Sequence, residues 1–376
     1  MEVSRVMKQL VEKISLWQLY ILIVCFQIGS AALVGIGNEA KQDAWIAVII
    51  GTFFGMAIML YYLFLLSKVP GKNLFELFVF CFGKWIGKFF TLLYVIYFFY
   101  VSARVLRDFC ELLVSTIFEV TPLEVISITM MLVIVYIFQH GLEVLGRTSE
   151  VFFPYVVAFI VMTGLGIWFS GEFEISNIQP ILADGFKPIV NALFPQLITF
   201  PFGEVVTFMV ISAYIGTKKH IKKVSAAGVF TSGVLLAYGA LIQISTLGVD
   251  VKERANFPLL SASREISLLN FIERVDLIIV FFVMFGIIVK VGIFFYGGLK
   301  GLELITNKPY RSMTLPMGSL IAFFSAVISH NFVEHLKEGL VFVPFFMHIP
   351  FQFGIPLLLL PFILWKTRKR KKESSS

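Results

Sequence analysis

Charged residues are scarce in this chain: only 15% of its 376 residues are charged, whereas 58% are hydrophobic and the mean hydropathy is +0.88. A water-soluble domain of this length does not need so much apolar surface, so the composition excludes an ordinary soluble globule. Apolar runs of about 20 residues, the length that crosses a bilayer, recur along the whole chain. The composition therefore predicts one polytopic, all-α membrane domain rather than a soluble domain with a single anchor.

Cysteine and histidine are also scarce, and their positions exclude the usual disulfide and metal frameworks. Neither the three cysteines nor the five histidines have the spacing of metal ligands. The sequence also lacks a glycine-rich phosphate loop with a lysine, an HExxH motif and a GxSxG motif. We therefore expect a protein that is not an enzyme and needs no metal or cofactor, and whose function is to bind or move a solute.

The basic residues are distributed as a membrane topology signal and not as a nucleic-acid surface. The net charge is +7, but Lys and Arg lie in short clusters between apolar runs, such as "KKHIKK" at 218–223 and "KTRKRKK" at 366–372. Cytoplasmic connections of membrane proteins are enriched in these residues. The clusters fall in the even-numbered connections and at both ends, which predicts cytoplasmic N- and C-termini and contact with the lipid bilayer.

Ten transmembrane helices are predicted from the apolar runs. Their approximate ranges are 16–37, 45–66, 89–108, 122–138, 151–170, 189–215, 225–247, 275–296, 314–330 and 341–364. Residues 1–366 would form a single domain, with inverted halves at about 14–170 and at 187 to 330 or 364. Residues 367–376 would form a basic cytoplasmic tail, which could bind anionic lipid or simply anchor the last span.

Two connections predict short helices of their own. Residues 73–88 combine apolar residues with lysines at one end, which is typical of a helix lying on the inner leaflet. Residues 257–272 predict a short helix over the outer mouth.

Glycine and proline interrupt the first and the sixth predicted spans at matching depths. The first span contains "QIGSAALVGIGN" (27–38) and the sixth contains "FPFGE" (200–204). Each irregular stretch begins about 20 Å into its span at 1.5 Å per residue. Because backbone polar groups cannot face lipid unsatisfied, an unwound segment must face protein, water or a solute. Matched breaks in two inverted halves predict a transporter-type binding site, for which a zwitterionic amino acid is well suited.

Close helix packing is the alternative interpretation of these glycines. Glycine and proline are common in membrane helices, where they permit close approach or kinks. The "GTFFG" pattern at 51–55 in the second span is interpreted in this way, as a packing face.

Two charged residues, Glu204 and Lys290, fall deep inside predicted spans and away from their ends, where an unpaired charge is unfavourable by several kcal/mol. Glu204 follows the sixth-span break, and it could carry a proton, bond the unwound first span, or act as a structural acceptor. Lys290 lies in the eighth span, about 22 Å from its outer end. Its ammonium group could reach the cytoplasmic interface. Alternatively, it could stand where a sodium-coupled transporter binds its ion, paired with Glu204 or with first-span carbonyls.

The third span carries an aromatic stripe. Tyr94, Tyr97 and Val101 are spaced by three and four residues and therefore share one helical face. Tyr97 and Val101 are predicted to line the same cavity as the breaks, although helix packing would also explain the stripe. Arg104, Arg107, Asp108 and Glu111 follow, and they are expected to form a solvated rim of the outer vestibule.

Four stretches resemble the B subunit of the GerA-type spore germinant receptors, the endospore germination permease family. They are "ISLWQLYILIVCFQIGSAAL" (14–33), "PGKNLFEL" (70–77), "LITFPFGE" (197–204) and "NKPYRSMTLPMG" (307–318). The second and third stretches are fairly specific, and the similarity extends over the entire chain.

This resemblance implies a LeuT-like five-plus-five inverted repeat of the amino acid–polyamine–organocation superfamily, located in the spore inner membrane. It also implies partner A-type and C-type subunits and a nutrient ligand such as an amino acid, a sugar or a nucleoside. The ligand positions that it transfers to this chain are Gly29, Ser30 and Ala31, and Phe200, Pro201, Phe202, Gly203 and Glu204. Translocation of the nutrient does not follow from the resemblance.

Three functions are compatible with these features. The leading hypothesis is a nutrient-sensing subunit that signals through its partner subunits. A proton-coupled amino-acid symporter, with Glu204 or Lys290 in the coupling role, is the second. An ion channel or a scaffold with a vestigial site is the third.

Overall fold

The computed structural model describes residues 13–266 and 275–373, and within these ranges it contains helices and no strand. Short 3₁₀ and π-helical turns join the α-helices. The α-helices are α1 (Leu16–Val34), α2 (Ala44–Lys68), α3 (Leu74–Phe82), α4 (Lys84–Thr116), α5 (Leu123–His140), α6 (Leu142–Ser170), α7 (Lys187–Ala192), α8 (Phe208–Ile211), α9 (Ile221–Arg254), α10 (Pro258–Arg264), α11 (Val275–Thr306), α12 (Thr314–Val327), α13 (Phe332–Lys337) and α14 (Ile355–Glu373).

Capping residues fix where two of these helices begin. Ser15 and Gln18 form a reciprocal capping box at the start of α1, with both bonds at 3.0 Å. Asn73 and Glu76 do the same for α3, at 3.0 and 2.8 Å. These bonds satisfy backbone N–H groups that have no partner inside the first turn.

Eight helices in the described ranges are long and apolar enough to cross a membrane, or nine if one bent pair counts as a single span. The bent pair is Tyr310–Val327 with Phe332–Phe342, and the direction of the chain bends by 108° between them. The predicted sixth span does not appear among these helices because it is divided into short pieces. The structure therefore supports a polytopic helical membrane protein, while the count of ten spans stays a prediction.

Several predicted boundaries are wrong. The third, seventh and eighth spans were predicted with 20 to 23 residues, but α4, α9 and α11 contain 33, 34 and 32 residues and therefore extend beyond the apolar runs. Near the C-terminus, the stretch after residue 330 is predicted as a connection but is helical. Two π-helical turns, Glu338–Phe342 and Pro344–Gly354, follow it before α14.

The predicted inner-leaflet helix at 73–88 is also shorter than expected. Helix α3 ends at Phe82, because Gly83 adopts a positive φ of 83°, and α4 then starts a new direction. The helix predicted at 257–272 is observed as α10, which ends at Arg264, and residues 267–274 lie outside the described residues.

Helix α1 lies at the centre of the molecule. Consecutive residues from Ile21 to Val24 are fully buried, so the helix is covered on all sides, as expected for a helix that is apolar all round. It packs against α6, α9 and α11. Helix α6, in contrast, exposes large apolar side chains such as Tyr155, Met162 and Phe169, which would face lipid.

Candidate functional site

The first predicted break is present in the structure at Gly29. This residue leaves helical geometry, with φ −11° and ψ −106°, and α1 then continues only to Val34. Gly35 and Gly37 follow with φ of 67° and 72°, values that favour glycine. The buried Lys252 ammonium donates to the Ile36 carbonyl at 3.3 Å and so satisfies a backbone group beyond the end of α1.

The sixth-span break is present where "FPFGE" predicts it. A π-helical turn at Leu193–Leu197 leads into a non-helical turn at 200–202, and a 3₁₀ turn at Gly203–Thr207 restarts the span. Proline cannot donate a backbone hydrogen bond, and its ring crowds the preceding turn, so Pro201 favours a kink or a break in the helix. Gly203 is needed for space: a Cβ at this position would lie 2.0 Å from Gln352 Oε1 and 2.8 Å from the Ile198 carbonyl oxygen.

Lys290 joins the two breaks. Its side chain is completely buried, and its Nζ lies 2.6 Å from Oε2 of the buried Glu204. A Cβ on Gly29 would lie 3.2 Å from both Lys290 Cδ and the Gly286 carbonyl oxygen, so α1 packs closely on α11 at the break. The structure thus has Lys290 paired with Glu204 and not reaching the membrane interface.

A cavity of about 50 Å³, the central cavity, lies beside the sixth-span break. Its lining includes Val34 at the end of α1, Val101 from α4, Phe200 and Glu204 from the break, and His348 from the last span. Small-molecule pockets measure about 300–1,000 Å³, whereas a water molecule in the liquid takes about 30 Å³. The cavity has room for only one or two water molecules. A nutrient could therefore bind there only if the cavity widened.

His348 and Gln352 belong to this site, and the sequence analysis missed both. The Tyr97 hydroxyl lies 2.8 Å from His348 Nδ1 and accepts a bond from Gln352 Nε2 at 2.9 Å. Both residues lie in the π-helical turn Pro344–Gly354, and such wide turns occur frequently at functional sites. The available signal was a polar pair four residues apart, next to Pro350, inside an apolar run.

The two arginines of the predicted solvated rim are buried, so the prediction is wrong for them, whereas Asp108 and Glu111 are partly exposed. Arg104 and Arg107 are only 6% and 7% exposed. Arg104 pairs with Glu338 at 3.3 Å, and His335 Nε2 lies 2.9 Å from Asp108 Oδ1. Buried charges require such partners, and these come from the bent segment Phe332–Phe342, which the sequence could not place over α4. Arg104, Asp108 and His335 form one wall of the cavity.

The other predicted site residues are dispersed around this centre. Phe202 packs on α2, where a Cβ at Gly51 or Gly55 would lie 2.9 or 2.7 Å from its side chain. The "GTFFG" packing face is thereby confirmed, with Phe202 as its partner.

Ser30 is fully buried, and its hydroxyl makes no hydrogen bond with the described residues. Ala31 lines a separate void of about 20 Å³ beside α9, and Pro201 is buried.

These observations define the class of protein. Multiple apolar helices, with breaks in two of the predicted spans beside a buried ion pair, are the construction of an integral membrane protein. A family model described as "Spore germination protein" matches residues 13–333, and the chain belongs to this family.

Individual relatives agree with the family assignment. The chain is 35% identical over 365 residues to spore germination protein KB of Bacillus subtilis (strain 168), a match covering 96% of this chain and 97% of the relative. It is 24% identical over 368 residues to spore germination protein YndE and 27% identical over 331 residues to spore germination protein A2, both from the same organism. The YndE match covers 96% of this chain and 98% of the relative, and the A2 match covers 86% and 85%. Membership of this family supports a role in spore germination, as the resemblance predicted.

Proposed function

We propose that this protein is the B-type subunit of a nutrient germinant receptor. It binds a small nutrient, with an amino acid as the leading class, between the breaks of the first and sixth spans. The observation that carries the proposal is the Glu204–Lys290 pair, which links both breaks beside the central cavity. In this proposal the protein resides in the spore inner membrane with A-type and C-type partner subunits, and other candidate nutrients are sugars and nucleosides.

Helix pairing supports the five-plus-five arrangement that the proposal assumes. Helices α2 and α9, α4 and α11, and α5 and α12 pack against each other. In the ten-span numbering these are spans two and seven, three and eight, and four and nine. Each pair therefore joins corresponding spans of the two proposed halves, which would lie as an inverted repeat.

Signalling would follow from widening of the cavity. The bent segment Phe332–Phe342 forms one wall and is held to α4 by the Arg104–Glu338 and Asp108–His335 contacts. A nutrient that binds the open form better than the closed form would shift the population toward the open form. Partner subunits would detect that shift.

Germination of spores with blocked breaks tests the proposal. Gly29→Leu and Gly203→Ala should each abolish the nutrient response at normal protein levels, because the added atoms collide with α11 and Gln352. Gly239→Ala is the matched control, since a Cβ there meets nothing within 4 Å. A normal dose response in both break variants would reject the site.

A proton-coupled amino-acid symporter is the second candidate, and the buried Glu204–Lys290 pair favours it. Proteoliposome uptake separates the two functions. Accumulation of substrate driven by a pH gradient would support the symporter, whereas binding without uptake would support the receptor subunit.

A further inference from the structure

A second cavity, of about 490 Å³, opens at the face that the basic clusters assign to the cytoplasm. Its walls come from the C-terminal end of α2, the following connection, the end of the sixth span and the start of α9. Its volume is about ten times that of the central cavity and falls within the range of small-molecule pockets. Its walls include helix ends, and the ends of membrane-spanning helices lie near the lipid head groups.

The charge of this cavity is entirely positive among the residues that the structure describes. Its lining includes four lysines and no carboxylate: Lys72, Lys218, Lys222 and Lys223. None of the four ammonium groups makes an ion pair with a described residue. Four unpaired cations around one hollow repel each other, so an anion bound there would be stabilised.

The remaining lining favours an amphipathic ligand. Leu63, Leu66, Ala213 and Ile221 form apolar walls beneath the lysines. A free phosphate ion would gain nothing from these walls. A phospholipid would bury its upper acyl and glycerol groups there while its phosphate contacts the lysines.

The geometry points to a binding site for one anionic membrane phospholipid in this cavity. The N-terminal segment of the same chain is the less suitable occupant, because residues 1–12 carry two acidic and two basic side chains and so offer little charge complementarity. Anionic lipids are drawn to basic pockets on the cytoplasmic side of membrane proteins, whereas neutral lipids are not.

A lipid at this position would contact the sixth span and α2 together. Ser212 and Ala213 belong to the inner part of the sixth span, and Leu63 and Leu66 belong to α2. The same two elements meet again where Phe202 packs on Gly51 and Gly55. The lipid would therefore hold the inner half of the broken span against α2.

Lipid retention by the purified full-length protein tests this inference without any nutrient. Native mass spectrometry would count phosphatidylglycerol and phosphatidylcholine molecules retained from mixed micelles. The test variant is Lys218→Gln/Lys222→Gln/Lys223→Gln. The matched control, Arg370→Gln/Lys371→Gln/Lys372→Gln, removes the same charge from the C-terminal tail. Lys72→Gln provides a single change on a different element in case the triple variant is poorly folded.

We expect the wild type and the tail variant to retain one phosphatidylglycerol in preference to phosphatidylcholine. Since each lysine contributes about 1 kcal/mol to such binding, the triple variant should bind about 100-fold more weakly and Lys72→Gln about fivefold. Inorganic phosphate should not compete. Unchanged retention in both lysine variants, loss only in the tail variant, or displacement by inorganic phosphate would each overturn the inference.

Discussion

The Glu204–Lys290 ion pair is the side-chain interaction with the clearest energetic signature. Both groups are buried, so removing one partner leaves an unpaired charge inside the membrane domain. We expect Glu204→Gln and Lys290→Met each to lower the free energy of unfolding by about 3–5 kcal/mol, whereas the double variant recovers most of the loss. The free energy of unfolding of the two single variants and the double variant would be measured in detergent micelles.

An exposed pair of similar geometry provides the control for that cycle. Arg147 and Glu143 lie 2.7 Å apart on the surface of α6, with side chains 70% and 42% exposed. Neutralising either residue should change the unfolding free energy by less than about 1 kcal/mol. Equal effects in the buried and the exposed pairs would show that Glu204 and Lys290 are not paired in the folded protein.

Tyr97 and Tyr61 provide a second comparison between single side chains. The Tyr97 hydroxyl orients His348 at the cavity, while the Tyr61 hydroxyl donates to the Pro356 carbonyl at 3.0 Å, beside another part of the same span. We expect Tyr97→Phe to raise the nutrient concentration for half-maximal germination about tenfold, the usual effect of losing a buried hydrogen bond. Tyr61→Phe should leave that concentration unchanged. Equal dose responses in the two variants would remove Tyr97 and His348 from the site.

Side chains of the site were predictable from the sequence where one residue was anomalous in its own span. Glu204 and Lys290 stood out as charges in apolar runs, and pairing was one of the alternatives for them. His348 was missed because a histidine near two prolines in the last apolar run cannot be distinguished, from sequence, from a residue of an ordinary anchor helix. Phe202 was assigned to the site because it belongs to the break, but only the packing on Gly51 and Gly55 determines which way its ring points.

Single helices pose a different question, which is how closely they can approach each other. The Cβ added by Gly51→Ala would lie 2.9 Å from Cε2 and 3.2 Å from Cδ2 of the Phe202 ring. We expect Gly51→Ala to lower the unfolding free energy by about 1–3 kcal/mol through overpacking. In a Phe202→Ala background the same substitution should have little effect, because the colliding atoms are gone.

Gly239→Ala on α9 is the control for this cycle, since nothing lies within 4 Å of the added Cβ. It should be neutral or slightly stabilising, because alanine favours helix over glycine. Thermal unfolding of Gly51→Ala, Phe202→Ala, the double variant and Gly239→Ala measures the coupling between residues 51 and 202. Additive effects of Gly51→Ala and Phe202→Ala would contradict direct packing of the sixth-span break on α2.

The two helix breaks were predictable because glycine and proline act locally on the backbone. Gly29 and the "FPFG" turn interrupt their helices at the predicted positions. The helical segment after the bend between α12 and α13 was not predicted, because Glu334, His335 and Lys337 make this stretch polar and typical of a connection. Helix ends were also misplaced, since α4, α9 and α11 continue past the hydrophobic runs from which their lengths were estimated.

For the chain as a whole, the number of crossings is open to a direct labelling test. The native cysteines are buried, and burial raises the pKa of the Cys81 thiol to about 11, so little of this thiol is in the reactive thiolate form at neutral pH. The wild-type chain can therefore serve as the background for single exposed cysteines. An impermeant maleimide would then report the side of each position.

We expect Asp184→Cys and His330→Cys to be labelled from outside, and Lys218→Cys and Lys308→Cys only from the cytoplasmic side. This pattern follows from the positive-inside distribution of Lys and Arg. It requires the broken sixth span to cross the membrane between residues 184 and 218. Labelling of Asp184→Cys and Lys218→Cys from the same side would reduce the number of crossings below ten.

Equilibrium binding of nutrients to the purified protein tests the central claim most directly. A panel of L-amino acids would be titrated against the wild type and two variants. Val101→Phe fills the cavity beside Phe200 and Glu204. Val133→Phe is the control, because it makes the same change at a residue that is 44% exposed. We predict that one amino acid binds the wild type and Val133→Phe equally and Val101→Phe at least about 100-fold more weakly, because the ligand and the added ring would occupy the same space. Undiminished binding by a folded Val101→Phe protein would contradict a nutrient site at the two helix breaks.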